Sequence, residues 1–131
     1  MGTHALVVFT SDNKRYLVVY FQFDGYLDGV GKDLIKFIKS VIMVNGISTR
    51  EEKGSYICNG FGCMCARYLS IVKTKPGDVY VLPSDTNEYS EDVAFIYRVR
   101  QEDINLTLSA EMVNDQTPGW RDLGVLCEKR V

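Results

Sequence analysis

The sequence lacks an apolar run long enough to cross a bilayer, and it lacks the basic segment, hydrophobic stretch and cleavage site of a secretory signal. It also lacks a block of charge of one sign, because 15 Lys and Arg are dispersed among 17 Asp and Glu. A soluble protein with no membrane partner is therefore predicted, and nucleic acid is disfavoured as a partner. The alternative is a local basic face on the predicted helices, formed by Lys32, Lys36, Lys39, Lys73 and Lys75.

Histidine is nearly absent, with His4 alone, and the cysteines are few and crowded. Three of the four, Cys58, Cys63 and Cys65, lie in one short window, and Cys127 is distant. A secreted disulfide scaffold would spread its cysteines through the chain, so a reducing, cytoplasmic setting is predicted. The spacings give no Cys-x-x-Cys zinc knuckle, so neither a metal site nor another cofactor is expected. Small buried core side chains are the favoured interpretation of these thiols, with free or metal-bound cysteines as alternatives.

The composition is that of one folded domain. The 131 residues suffice for one hydrophobic core and are too few for two well-built ones. Apolar residues make up 46% of the chain and charged residues 24%, which is far from the composition of disordered chains. Residues 1–131 are therefore predicted to form a single domain.

The first half of the chain predicts a hairpin followed by two helices. Residues 3–10 and 15–23 are rich in β-branched and aromatic side chains and flank a cluster of turn formers, which indicates two strands inside a sheet. Apolar spacings of three and four predict a first helix over residues 30–42. A second helix is expected over residues 59–73, with Asn59 as its N-cap.

The second half predicts three further strands, over residues 79–82, 93–99 and 104–110, and an edge strand over 123–127. The polar connection over residues 83–91 is expected to be a mobile loop. Strands are thus grouped in the order β-β-α-α-β-β-β instead of alternating with helices. This order predicts an α+β fold, with a mostly antiparallel sheet and two helices packed on one face.

The segment from Asp24 to Gly31 contains three glycines and leads directly into the first helix. Free backbone N–H groups at a helix start attract anions, so Gly29, Gly31 and Lys32 predict a site for a phosphorylated ligand. The segment is not a P-loop, because Tyr26 stands where that motif has its first glycine. The competing interpretation is a strand-to-helix turn that needs its glycines, with the aspartates as helix caps.

A cysteine-dependent hydrolase is a further hypothesis. Cys63 or Cys58, near the start of the second helix, would be the nucleophile, and His4 would be the base. Acyl transfer requires a nucleophile, a base and an oxyanion donor, and the sequence does not contain these at a recognisable spacing. Enzymatic activity therefore stays uncertain, and a protein without catalytic activity is favoured.

Two stretches carry a resemblance. They are Q-F-D-G-Y-L-D-G-V-G at residues 22–31 and N-G-F-G-C at residues 59–63. They resemble a group of short uncharacterised proteins of bacteriophages, bacteria and large DNA viruses, in which Gln-Trp-Asp-Gly-Tyr-Pro and Gly-x-Gly precede one helix and Asn-Gly-x-Gly-Cys a second. Phe23 and Leu27 replace the Trp and Pro of that group. The resemblance implies the order hairpin, helix, helix, sheet and a viral origin, with action in the host cytoplasm, and it implies no activity.

Both stretches lie just before a predicted helix, so the two helix starts are expected to converge on one pocket lined by Asp24, Tyr26, Asn59 and Gly60. The eight tyrosines add support for a binding surface. The sequence therefore favours a binding or protein-interaction module, with a protein or a small anionic ligand as partner. A homo-oligomer, and a small enzyme or binder acting on a phosphorylated ligand, are the alternatives.

Overall fold

The computed structural model describes residues 2–44, 56–103 and 105–113, and the backbone of 120–122. Within these ranges the chain forms two α-helices, eight strands and one turn of π-helix over Leu27–Gly31. The elements are β1 Ala5–Ser11, β2 Lys14–Phe21, α1 Lys32–Ser40, β3 Val41–Val44, β4 Tyr56–Asn59, α2 Phe61–Val72, β5 Val79–Leu82, β6 Phe95–Glu102, β7 Asn105–Met112 and β8 Trp120–Asp122. No helix among the described residues has the length and apolar character to cross a membrane.

Six of the strands form one sheet in the order β5-β2-β1-β6-β7-β8. Every neighbouring pair is antiparallel except β1 and β6, which run parallel with Ala5 opposite Phe95. The α+β class with a mostly antiparallel sheet is confirmed. The predicted hairpin also lies inside the sheet, because β1 and β2 each have a strand on both sides.

Both helices pack on the same face of this sheet. Side chains alternate between the two faces of a strand, so Val7 and Phe9 of β1 point to one face. There they join Leu34 and Ile38 of α1 and Met64 of α2 in one buried cluster. The apolar stripe predicted for the first helix is the surface that closes this core, as two-layer α+β domains require.

The opposite face of the sheet is partly covered by the connection between β5 and β6. A smaller buried cluster on this face contains Leu6, Val8 and Ile96, and Val93 of the connection packs into it. Glu88, in the same connection, is also buried. Glu88 belongs to the polar loop expected over residues 83–91, so this loop is packed against the sheet at that residue.

Two short parallel strands, β3 and β4, lie between the helices and were not predicted. The first helix ends at Ser40, so its predicted extension over residues 41–42 is wrong. These residues are β-branched and find a partner strand in β4, which favours the extended conformation. The second helix begins at Phe61 after Gly60, whose φ of 87° is accessible to glycine. Asn59 is consequently the last residue of β4 and not the N-cap.

The later strands lie close to their predicted positions. β6 ends at Glu102 and β7 at Met112, which is past the predicted ends at residues 99 and 110. The predicted edge strand over residues 123–127 lies outside the described residues. Immediately before these residues in the chain, Trp120–Asp122 forms an edge strand that pairs with β7.

Candidate functional site

The segment from Asp24 to Gly31 connects β2 to α1 and is fastened to the end of the sheet. Asp24 adopts a left-handed conformation, with φ of 59°, which aspartate tolerates better than most residues. The next residue, Gly25, donates its N–H to the carbonyl oxygen of Thr3 over 2.8 Å. Its own carbonyl oxygen accepts the hydroxyl of Tyr97 over 2.7 Å. The turn is therefore held at a fixed place beside the sheet.

Three backbone N–H groups at the end of this turn are used within the turn. Gly29 donates to the carbonyl oxygen of Tyr26 over 2.9 Å, and Val30 donates to that of Asp24 over 2.9 Å. Gly31 also donates to the carbonyl oxygen of Tyr26, over 3.4 Å. An anion needs N–H groups that point to it without another acceptor. The donors on which the phosphorylated-ligand hypothesis depends are thus engaged elsewhere.

A cavity of about 1010 Å³ lies beside the turn, enclosed by α1, α2, Tyr56 and the adjoining ends of β2 and β5. We call it the α1–α2 cavity. Its volume is at the upper end of the range for sites that hold small organic molecules. Its aromatic lining residues are Phe21, Phe23, Tyr26, Phe37, Tyr56 and Tyr68. Its charged lining residues are Asp24, Asp33, Lys36 and Asp78.

Tyr68 lines the α1–α2 cavity and is only 1% exposed. Its ring packs against Phe9, Phe21 and Phe37, with centroid distances of 5.2, 6.4 and 5.3 Å. Its hydroxyl is fully buried, and no group in the described part of the chain forms a hydrogen bond with it. A buried hydroxyl without a partner costs about 1–3 kcal/mol, so such groups are rare in folded proteins.

The electrostatic surroundings keep this hydroxyl protonated. Burial is the main cause that raises the pKa of Tyr68 well above its ordinary value, and the negative charge of Asp33 adds to it. A neutral phenol both donates and accepts a hydrogen bond. Both functions of the Tyr68 hydroxyl are unused within the described part of the chain.

Carboxylates surround the rest of the cavity. Asp24 accepts the hydroxyl of Tyr26 over 3.3 Å, and its negative charge raises the pKa of Tyr26. Asp33 lies in the first turn of α1. Asp78 lies 3.9 Å from the ammonium of the exposed Lys75, a separation at which an ion pair contributes little. Within the described ranges, no three histidine, cysteine or acidic side chains are arranged to hold a metal ion.

The start of α2 does not reach this cavity. The ring of Phe61, its first residue, packs on Tyr16 near the beginning of β2, with a centroid distance of 5.1 Å. The Asp24–Gly31 turn instead follows the end of β2, so the expected convergence of the two helix starts is wrong. Because α2 runs along β2 in the same direction, its last turn lines the cavity, while Asn59 and Gly60 lie at the far end.

Gly29 and Gly31 serve the geometry of the turn. A Cβ atom on Gly29 would lie 2.2 Å from the carbonyl oxygen of Asp24, and one on Gly31 would lie 3.1 Å from the ring of Tyr97. Gly29 lines the α1–α2 cavity, whereas Gly31 is buried against Tyr97 and the exposed Lys32 is not part of the lining. Of the predicted ligand-binding residues, the structure thus brings together Asp24, Tyr26 and Gly29.

The cysteines lie on α2 and β4. Among the described residues, Cys58 and Cys65 are buried, Cys63 is exposed, and none of the three forms a disulfide. Burial, followed by the neighbouring Cys58, raises the pKa of Cys65 to about 12, so this thiol is protonated at neutral pH. A protonated thiol is a poor nucleophile. Cys127 lies outside the described residues.

His4 lies on the opposite side of the sheet from α2. Its Nδ1 atom is 2.9 Å from the hydroxyl of Tyr20 and 3.2 Å from the carbonyl oxygen of Asp92. Tyr20 packs against the core cluster of that second face. The sheet therefore separates His4 from Cys63, and a cysteine–histidine pair is not assembled by the described residues.

A second cavity, of about 680 Å³, lies on this opposite face and is lined mainly by polar residues. Its buried charges pair with each other: Glu88 accepts hydrogen bonds from both Arg98 and Arg15, and Arg98 also donates to Glu111 over 3.0 Å. These groups fasten the β5–β6 connection to the sheet. We therefore assign them a structural role and take the α1–α2 cavity as the candidate site.

Sequence reasoning did not single out Tyr68, Asp33 or Asp78 as site residues. The only signal for Tyr68 is the high count of tyrosines, which does not distinguish one position from another. Comparisons with protein-family models, with curated proteins and with solved structures gave no match. The α1–α2 cavity is accordingly interpreted from its own chemistry.

Proposed function

We propose that the chain is a binding protein for a small organic molecule, which enters the α1–α2 cavity and forms a hydrogen bond with the hydroxyl of Tyr68. The observation that carries this proposal is the buried hydroxyl of Tyr68, which has no partner among the described residues and belongs to a side chain that lines an aromatic cavity. A ligand with a donor or acceptor would supply the missing bond. Binding would then remove a free-energy penalty that the unliganded fold carries.

A comparison with Tyr97 supports this interpretation. Tyr97 is as deeply buried in the same core cluster, and its hydroxyl is paired with Gly25. A phenylalanine at position 68 would fill the same space as Tyr68 without an unpaired hydroxyl. We therefore expect the hydroxyl of Tyr68 to form its hydrogen bond with a bound ligand.

Binding is favoured over catalysis by the chemistry of the lining. The cavity wall is mostly aromatic and carboxylate, and among the described side chains no nucleophile contacts a base there. A phosphorylated ligand is disfavoured because the N–H groups of Gly29, Val30 and Gly31 are already bonded and the nearby charges are mostly negative. The same turn is instead one wall of the cavity.

The proposal is tested by protein-observed NMR. A set of small aromatic amines, amides, alcohols and carboxylates is titrated into the wild-type chain and into Tyr68→Phe and Tyr16→Phe variants. We expect at least one class to shift the amide signals of Asp33, Ile71 and Val72, and its affinity to fall about threefold to tenfold in Tyr68→Phe, the equivalent of one net hydrogen bond. Tyr16→Phe removes an exposed hydroxyl at the far end of β2 and is the matched control.

Two results would contradict the proposal. One is that no compound shifts the signals of the residues that line the cavity. The other is that every compound which binds there does so equally well in Tyr68→Phe. In either case a protein partner becomes the better hypothesis for function.

A further inference from the structure

We infer that the ligand of the α1–α2 cavity is a cation, namely a protonated amine or amidine attached to an aromatic or heteroaromatic ring. This inference rests on the proposed function and specifies the chemical class that the cavity selects. It follows from the charges around the cavity, the exposed aromatic side chains in its lining and the acceptors that Asp33 and Tyr68 supply.

The charges of the lining favour a positive ligand. Among the described lining residues, three carboxylates, of Asp24, Asp33 and Asp78, face a single ammonium, that of Lys36. A concave site with walls of low polarity concentrates such a field and raises the local concentration of ions of the opposite sign. The field of these residues attracts a cation and repels a phosphate or a carboxylate.

The mouth of the cavity combines aromatic faces with a carboxylate. Phe23 and Tyr26 are 46% and 44% exposed, and both line the cavity. Asp24 lies between them in the chain and holds the hydroxyl of Tyr26. Aromatic rings attract cations through their quadrupoles and bind flat rings by stacking. A ring with a cationic substituent satisfies both preferences.

The lining of the cavity supplies two acceptors. They are the carboxylate of the exposed Asp33 and the hydroxyl oxygen of the buried Tyr68. An ammonium group between these residues would donate one N–H to the carboxylate of Asp33 and another to the hydroxyl oxygen of Tyr68. Hydrogen bonds between an ammonium and a carboxylate are about twice as strong as those between neutral groups.

The test compares three ligands that share a phenyl ring and differ in charge: 2-phenylethylamine, 2-phenylethanol and 3-phenylpropanoate. Each is titrated by NMR into the wild-type chain, Asp33→Asn and Asp12→Asn, and far-UV circular dichroism checks that each variant is folded. Asp12 lies in the β1–β2 turn, away from the α1–α2 cavity, and its replacement makes the same change of charge. NMR titration detects binding even at a millimolar Kd, which corresponds to a binding free energy of only about −4 kcal/mol.

We expect the amine to bind most tightly and the carboxylate most weakly. In Asp33→Asn the affinity for the amine should fall about threefold, because Asp33 is exposed and solvent weakens its ion pair with the amine. The affinity for the alcohol should change much less, and Asp12→Asn should behave as wild type.

Equal binding of the three compounds, a preference for the carboxylate, or an unchanged affinity of Asp33→Asn for the amine would overturn the inference. Any of these results would leave the cavity as a ligand site, provided that Tyr68→Phe still weakens binding. Failure of the amine to bind the wild-type chain also overturns it. The proposed function itself fails only if the wider set of compounds in the Tyr68 experiment gives no binding at the cavity or no dependence on Tyr68.

Discussion

Tyr97 donates its hydroxyl to the carbonyl oxygen of Gly25 over 2.7 Å and so joins β6 to the turn that precedes α1. Both residues are buried, and replacing Tyr97 with phenylalanine would leave the carbonyl of Gly25 without this donor. We expect Tyr97→Phe to lower the free energy of unfolding by about 1–2 kcal/mol. Urea unfolding followed by circular dichroism measures it, and an unchanged midpoint would mean that the bond does not hold the turn.

Tyr68→Phe should act in the opposite direction. It removes a buried hydroxyl that has no partner within the described ranges and keeps the ring that packs against Phe9 and Phe37. We expect the unliganded variant to be more stable than wild type by about 1 kcal/mol. The same urea experiment compares the two tyrosines directly. Destabilisation by Tyr68→Phe would mean that the hydroxyl has a partner in the folded chain and would remove the basis of the proposed function.

Two glycines should respond to alanine with opposite signs. A Cβ atom on Gly29 would lie 2.2 Å from the carbonyl oxygen of Asp24, so the turn must shift, and we expect Gly29→Ala to lower the free energy of unfolding by about 2–3 kcal/mol. A Cβ atom on Gly62, in α2, would lie 3.9 Å from the ring of Tyr16, an ordinary contact. Gly62→Ala should stabilise the chain by about 0.5 kcal/mol through helix propensity. Thermal unfolding of both variants measures the two changes in stability. Equal changes in the two variants would contradict the prediction.

The sequence predicts those parts of the fold that depend on local signals. The β1–β2 hairpin follows from two β-branched runs around a turn cluster, and the stripe of α1 follows from its apolar spacing. The spacing continues through Val41 and Ile42, so periodicity alone cannot show that the helix stops at Ser40. Their strand conformation depends on pairing with β4, which lies after a long connection in the chain. The parallel pairing of β1 with β6 is equally invisible to a local pattern.

The residues of the candidate site likewise divide into those with a local sequence signal and those without one. Asp24, Tyr26 and Gly29 could be predicted because a cluster of glycines before a helix is a local signal. Asp78 and Tyr68 come from distant parts of the chain and reach the cavity through the packing of α2 and β5 on the sheet. The direction of α2 along β2 also decides which of its ends meets the cavity, and the sequence does not carry that information in any short motif. An unpaired hydroxyl is a property of the packed core and has no sequence pattern.

Glu88 should be the most sensitive charged position on the second face of the sheet. It accepts hydrogen bonds from Arg15 and Arg98, and both Glu88 and Arg98 are only 8% exposed. Removing one partner of a buried ion pair leaves a poorly compensated charge, so we expect Glu88→Gln to lower the free energy of unfolding by about 3 kcal/mol. Asp85→Asn, at an exposed position of the same connection, is the control, and urea unfolding is the measurement. A loss no larger than that of the control would show that Glu88 does not fasten the connection.

Stability should fall in alkaline solution because the core holds buried acids in their neutral form. Burial raises the pKa of Cys65 from 9.0 to about 12, and it also raises that of Tyr68 and Tyr97. Above pH 9 the unfolded chain therefore releases the proton of Cys65 that the native chain keeps, and above pH 10 the same holds for the two tyrosines. Each such group lowers the free energy of unfolding by about 1.4 kcal/mol per pH unit until its native pKa is reached. Below pH 9 the contribution of these groups to stability is fully present and constant. Urea unfolding across this range should show a slope that is shallower in Cys65→Ala than in wild type, with Cys63→Ala, which removes an exposed thiol, as the matched control. A slope that Cys65→Ala leaves unchanged would mean that the thiol is not held neutral by the fold.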